Sequence, residues 1–343
     1  MSRRRSKRID LALQGGGAHG AFTWGVLDRL LEDERIEVDA VSGTSAGAMN
    51  AVVLADGLMA GGRKQARERL RSFWTRVSRT AAASSAFNAM FGDWAVEGSP
   101  LAWYVDWITR VLSPYQFNPL DINPLRDILA DEVDFERVRA CATPRLFVSA
   151  TNVRTGQLRE FRTHELTADA VMASACLPTL FRAVEIDGEA YWDGGYVGNP
   201  SLLPLIAESP AHDLVLVQIN PSCRDEVPTT AQRILDRLNE ITFNASLVKE
   251  LRAIALLKRL LQAEGLPPTS GRDSLFAQID ALRLHRIDAG DELAKLSAAS
   301  KLDAGWAFVS RLHRIGRDAA DGWLADNFTH VGRRSTVRLQ TYL

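Results

Sequence analysis

Gly43-Thr44-Ser45-Ala46-Gly47 has the G-x-S-x-G spacing of a serine nucleophile set on a sharp turn. The chemistry such a serine performs is acyl transfer: its hydroxyl attacks a carbonyl carbon while a nearby base takes the proton. Val38-Asp39-Ala40-Val41-Ser42, just ahead, is short and partly β-branched and reads as a strand. Residues 46–60, just behind, are rich in Ala, Leu and Met and read as a helix. Gly43 and Gly47 let neighbouring chain pass close to a serine in strained geometry. The turn also sets Ser45 at a helix N-terminus, where free N–H groups favour developing negative charge. The plain alternative is a small-residue turn with no chemistry.

A second candidate lies upstream. Gln14-Gly15-Gly16-Gly17-Ala18-His19-Gly20 follows a strand-like Ile9-Asp10-Leu11-Ala12-Leu13. It precedes a helical stretch over 22–34, with Val26, Leu27, Leu30 and Leu31 on one face. Gly15, Gly17 and Gly20 also meet the dinucleotide fingerprint, with Glu37 and Asp39 about 20 residues further on. A glycine loop at a helix start presents N–H groups that suit a phosphate or an oxyanion. A G-x-S-x-G turn has no place in a dinucleotide site, so the companion motif favours the oxyanion. The third candidate is Asp193-Gly194-Gly195, closing the strand-like Ala190-Tyr191-Trp192. Read alone, an aspartate before two glycines is an ordinary turn residue.

The elements that must position these residues alternate between strand and helix. Residues 145–151, 157–161, 183–186, 190–192 and 214–219 read as strands, and 166–175 as a short helix stopped before Pro178. That alternation predicts a largely parallel, three-layer α/β sheet. Residues 63–79 read as a basic helix, and 81–119 turn apolar and aromatic, fitting core, cap or hydrophobic lid. Beyond Pro228, residues 231–261 and 291–324 read as helical, and 246–261 are amphipathic and basic, fitting either domain packing or a membrane surface.

At 343 residues and net charge −1, the chain can bury a large core and carries no global signal for nucleic acid. Cys141, Cys176 and Cys223 are scattered, which disfavours a disulfide framework or zinc site and fits a reducing, cytoplasmic setting. Residues 1–8 form a basic leader, solvated or touching anionic headgroups, and no apolar run approaches the ~20 residues of a membrane span.

The glycine loop, the G-x-S-x-G serine and the D-G-G aspartate, in that order, resemble the patatin-like phospholipase family. The link from Ala173-Ser174-Ala175-Cys176-Leu177-Pro178 through Asp193 to Asn199-Pro200 is similar to that family's second block. The resemblance covers about 8–220 and implies a patatin-like three-layer α/β/α domain over 9–220, with 221–343 a helical C-terminal extension. It implies a serine lipid acyl hydrolase working through a Ser45–Asp193 dyad. Gly15, Gly16, Gly17 and Ala46 would form the oxyanion hole, with Gly20, Gly43, Gly47, Gly194 and Gly195 as motif support. It implies no metal or organic cofactor, a lipid or acyl-ester substrate and peripheral membrane contact at most. Many relatives carry Arg or Lys in the glycine loop where this chain has His19, so that charge is missing here.

Three other readings stand beside this one. A nucleotide-binding oxidoreductase would use Gly15, Gly17 and Gly20. A non-catalytic lipid-binding protein would keep the fold without the chemistry. A Ser–Asp–His triad would need one of His212, His285, His313 or His330, which follow Asp193 but sit in no telling motif. His19 reads as shaping the glycine loop, His164 as a surface residue, and Ser42 and Ser174 as small neighbours.

Overall fold

The computed structural model describes residues 6–83, 112–263 and 274–343. Most of the aromatic stretch 81–119 lies outside them. Among the described residues one sheet holds β1 (Lys7–Leu13), β2 (Ile36–Gly43), β3 (Arg145–Asn152), β4 (Leu158–Arg162), β5 (Val184–Ile186), β6 (Glu189–Asp193), β7 (Asp213–Val217) and β8 (Arg283–Ile287). The strand order is β5-β6-β3-β2-β1-β7-β8, and β4 also pairs with β3. Strands β3, β2, β1, β7 and β8 run parallel, whereas β4, β5 and β6 add antiparallel pairings. Helices α1 (Gly20–Glu32), α2 (Ala46–Ala83), α3 (Pro124–Glu132), α4 (Ala168–Ser174), α5 (Leu203–Glu208), α6 (Ala231–Ala263) and α7 (Trp306–Asn327) flank the sheet.

The central strands explain the layering. Ile9, Leu11 and Leu13 of β1, with Val215 and Val217 of β7, join one core with α1, α2, α4 and α7. Their alternates Ala12, Leu214 and Leu216 join the other core with α5 and α6. Side chains of period two buried on both faces produce the near-continuous apolar runs of the sequence. The expected three-layer, mostly parallel architecture is present. The helices expected at 46–60 and 63–79 are two arms that double back at Gly61-Gly62, where Gly62 takes the left-handed φ of 76°. The arms lie so close that a Cβ on Gly57 would stand 2.3 Å from Ala66 Cα. Buried Asp56 meets Arg69 of the second arm and Arg137 at 2.7 Å each.

The C-terminal region departs from the helical expectation in two ways. Arg283–Ile287 is strand β8, parallel to β7, because Asp213 of β7 takes both Arg283 and the fully buried His285. Residues 291–324 are not one helix: α7 begins only at Trp306, after a short turn over Ala299–Leu302. Helix α7 then packs directly on α1. A Cβ on Gly25 would lie 2.0 Å from the His313 carbonyl oxygen, and one on Gly316 2.0 Å from that of Phe22. The stretch after 220 therefore carries helices and also completes the sheet.

Candidate active site

Ser45 stands between the end of β2 and the start of α2 with φ of 55°, a left-handed backbone that costs a non-glycine residue about 1–3 kcal/mol. The surroundings hold it there. Its N–H donates to Ser174 Oγ at 2.8 Å, and the Thr44 hydroxyl donates to the Gly198 carbonyl at 2.6 Å. The flanking glycines are required by space. A Cβ on Gly47 would come within 2.2 Å of the Leu13 carbonyl oxygen, and one on Gly43 within 2.7 Å of Gly47 itself. Gly20, from the glycine loop, presses on Ala46, leaving 2.6 Å between its added Cβ and that of Ala46.

The glycine loop lies against the serine: a Cβ on Gly15 would be 2.9 Å from Ser45 Cβ. Its N–H, however, donates to Asn199 Oδ1 at 2.7 Å, and its carbonyl accepts from Asn220 Nδ2 at 3.0 Å. Gly15 is therefore committed to the scaffold, and the oxyanion role expected of it does not fit this geometry. Gly16, Gly17 and Ala46 have N–H groups with no partner among the described residues. Gln14, just ahead, is fully buried. It accepts from the N–H groups of Ile219 and Asn220 at 2.9 and 2.7 Å and donates to Asn244 Oδ1 at 2.8 Å.

The dinucleotide reading fails on register. Lys7 to Leu13 run beside Ile36 to Gly43 in parallel, so Glu37 lies opposite Arg8 while Leu13 lies opposite Gly43. The glycine loop leaves the carboxyl end of β1, whereas Glu37 and Asp39 sit toward the amino end of β2, facing Arg8 at 3.9 and 3.6 Å. Among the described residues neither Glu37 nor Asp39 stands where a ribose would meet an acid. The carboxyl end of β2 carries Ser45 instead.

Asp193 ends β6, next to β3, and is almost wholly buried. Its carboxylate accepts the Gly195 N–H at 2.7 Å and faces the Ser45 hydroxyl, which favours its charged form. Burial pushes its pKa up to about 7, against the Gly195 N–H, the Ser45 hydroxyl and the charge of Lys301, which hold it down. Gly194 and Gly195 are forced by contact: their added Cβ atoms would lie 2.1 Å from the Ser149 carbonyl oxygen and 2.3 Å from Phe243 Cε1. Cys176 lies nearby, but burial lifts its thiol to about 12, so it is inert as a rival nucleophile.

The histidines are elsewhere. His285 bonds Asp213 at 3.0 Å and Thr336 at 3.1 Å, and His313 bonds Asp28 at 3.2 Å while stacking 3.8 Å from Trp24. His330 pairs with Arg334 at 3.0 Å, and His212 and His164 are exposed. None meets Ser45 or Asp193 among the described residues. His19 points to Ser300 Oγ at 2.8 Å, and burial first, then the Lys301 charge, drive its pKa down to about 3, leaving a neutral ring.

The patatin-like phospholipase family matches residues 11–206, more than half of the chain. The chain belongs to that family. VipD from Legionella pneumophila is a solved structure similar to this patatin-like chain, with 16% identity and a TM-score of 0.43 over 93% of this chain and 67% of VipD. ExoU in complex with SpcU from Pseudomonas aeruginosa gives 15% identity and a TM-score of 0.28 over 98% and 76% of the two chains. No curated protein matches the sequence. No helix among the described residues is long and apolar enough to cross a membrane.

Two site residues of this patatin-like chain escape sequence reasoning. Ser174 reads as a small neighbour, yet its hydroxyl accepts the N–H of Ser45. Lys301 lies outside the matched segment and on a stretch that reads as plain helix. It reaches the glycine loop because the turn over Ala299–Leu302 breaks that helix: a Cβ on Gly17 would lie 2.3 Å from the Lys301 carbonyl oxygen. The cluster Ser297-Ala298-Ala299-Ser300 and the Asp303-Ala304-Gly305 stop are the sequence signal for that break.

Proposed function

We propose that this patatin-like protein is a serine lipid acyl hydrolase that cleaves a carboxylic ester through a Ser45–Asp193 dyad. The observation that carries the reading is a backbone-strained serine whose hydroxyl faces a buried carboxylate with a pKa raised to about 7. An aspartate near neutrality is a usable general base, which an ordinary one near ~4 is not.

Ser45 Oγ forms a bond to the ester carbonyl carbon as its proton passes to Asp193. The carbonyl oxygen becomes an oxyanion facing the N–H groups of Gly16, Gly17 and Ala46, each such donor being worth about 10²–10³ in rate. Collapse breaks the ester C–O bond, and the departing alcohol takes the proton from Asp193, leaving an acyl-Ser45. Water then attacks that acyl group, Asp193 again taking a proton, and the fatty acid leaves as Ser45 regains its hydrogen.

The test is fluorophosphonate labelling of the whole protein, with the labelled residue located by peptide mass spectrometry. Labelling at Ser45 that is abolished in Ser45→Ala and cut at least tenfold in Asp193→Asn supports the dyad. A wild type that stays unlabelled in the presence of lipid would refute the hydrolase. Full labelling of Asp193→Asn would remove the aspartate from the mechanism.

A further inference from the structure

Lys301 joins the two walls of the site from outside the matched segment 11–206. On one side its backbone abuts Gly17: an added Cβ there would lie 2.3 Å from the Lys301 carbonyl oxygen and 3.3 Å from its Cβ. On the other side its Nζ stands 5.5 Å from the centroid of the Phe243 ring, whose edge bears directly on Gly195. Lys301 thus meets the glycine loop through its backbone, while its ammonium lies over Phe243, which packs on the turn that carries Asp193.

It is short of partners. An ammonium has three donors, and one goes to Asn239 Oδ1 at 2.9 Å. No carboxylate lies within ion-pair distance among the described residues. Glu240, the largest attractive charge on it, is occupied by Arg224 and Arg237. Asp236 accepts from Gln232 at 3.2 Å, Asp193 accepts the Gly195 N–H at 2.7 Å, and His19 is neutral. A half-buried cation without a counter-ion is costly, and an anion delivered with the substrate offsets that cost.

We propose that Lys301 is the specificity-determining cation of this site, its ammonium binding a phosphate carried on the alcohol portion of the ester cleaved at Ser45. The assignment rests on the hydrolase reading above. It makes a residue of the C-terminal region part of substrate selection, and it restores beside the glycine loop a positive charge that His19 does not supply.

The experiment compares lysophosphatidylglycerol with the monoacylglycerol of the same acyl chain, using wild type, Lys301→Met and Lys301→Arg. A charge-assisted hydrogen bond predicts that the ratio of kcat/KM between the two substrates falls about 10- to 100-fold in Lys301→Met. In Lys301→Arg most of that ratio returns. An unchanged ratio in Lys301→Met, whether overall activity is kept or reduced, overturns the proposal.

A binding arm separates this failure from that of the hydrolase reading. In the Ser45→Ala background, affinities are measured for an ether-linked lysophosphatidylglycerol, the matching alkylglycerol and inorganic phosphate. Loss of the lysolipid's advantage with Lys301→Met supports the assignment even if no ester is turned over, in which case only the hydrolase reading falls. Normal turnover with a lysolipid advantage indifferent to Lys301 overturns the assignment alone. Inorganic phosphate competing as tightly as the lysolipid overturns it too, since the site would then take a free anion.

Discussion

The backbone N–H of Ser45 donates to the side chain of Ser174, 2.8 Å away and 129 residues further along the chain. Both residues are buried, and the bond ties the Ser45 turn to helix α4. Ser174→Ala would leave that N–H without its acceptor, at about 1–3 kcal/mol for an unsatisfied buried donor. Because the affected group is the backbone of the attacking residue, the loss falls on kcat more than on KM. A decrease of about tenfold or more in kcat and in fluorophosphonate labelling rate is expected. Steady-state kinetics of Ser174→Ala that match wild type would show that Ser45 holds its strained φ without this bond.

The acidity of Asp193 sets a pH dependence. In the proposed dyad Asp193 must be ionised to accept the Ser45 proton, and burial raises its pKa to about 7. Activity therefore falls as pH drops through about 7, instead of near the ~4 of an ordinary aspartate. His19 stays neutral over that range, and the Cys176 and Tyr196 groups facing Asp193 titrate only near 12. Lys301, lowered to about 8 chiefly by burial, is the neighbour that also changes charge nearby. The measurement is kcat/KM from pH 5 to 9 on an ester without ionisable groups. A profile flat down to about pH 5 would mean that Asp193 is not the titrating base.

Strands β1, β2, β3 and β7 were legible because burial on both faces demands apolar runs, and the three glycine motifs because close backbone contact tolerates nothing larger. β8 was not. In Arg283-Leu284-His285-Arg286-Ile287 three of five residues are ionisable, and the strand is stable inside the fold only because Asp213, 70 residues earlier, takes Arg283 and His285. Nor could the sequence separate Gly15 from Gly16 and Gly17, since the acceptor that occupies the Gly15 N–H is Asn199, 184 residues away. Local pattern locates a glycine loop; long-range partners decide which of its amides are spoken for.

The Asp213 cluster makes part of the stability acid-labile. Burial alone would raise this carboxyl, but hydrogen bonds from His285, Arg283 and the Gly332 N–H outweigh it and bring it down to about 2. A depressed carboxyl contributes stability that is fully present above its unfolded pKa near ~3.9 and is lost as pH falls through about 2. Asp213→Asn leaves the Arg283 guanidinium facing no anion and is expected to cost about 3–5 kcal/mol at neutral pH. Urea unfolding at pH 7 and at pH 3 checks both parts: the gap between wild type and variant should narrow at the lower pH. An equal gap at both would place the acid sensitivity elsewhere.

Helix α7 depends on two glycines that substitute backbone contact for side-chain contact. A methyl on Gly25 would stand 2.0 Å from the His313 carbonyl oxygen and 2.9 Å from the Arg317 nitrogen, and one on Gly316 2.0 Å from the Phe22 carbonyl oxygen. These neighbours are main chain and cannot rotate aside, so the helices must part. Parting them would also strain the Trp24–His313 stack and the bonds from Arg317 and His313 to Asp28. In an open helix Gly→Ala gains about 0.5–1 kcal/mol, but here overpacking of about 1–3 kcal/mol reverses the sign. Gly322→Ala on the same helix is the control, because nothing lies within 4 Å of its added Cβ. Thermal denaturation should show Gly25→Ala and Gly316→Ala melting several degrees below wild type, at about 2–4 °C per kcal/mol, with Gly322→Ala at or above it. Three equal melting temperatures would mean that α7 does not rest on α1 through these contacts.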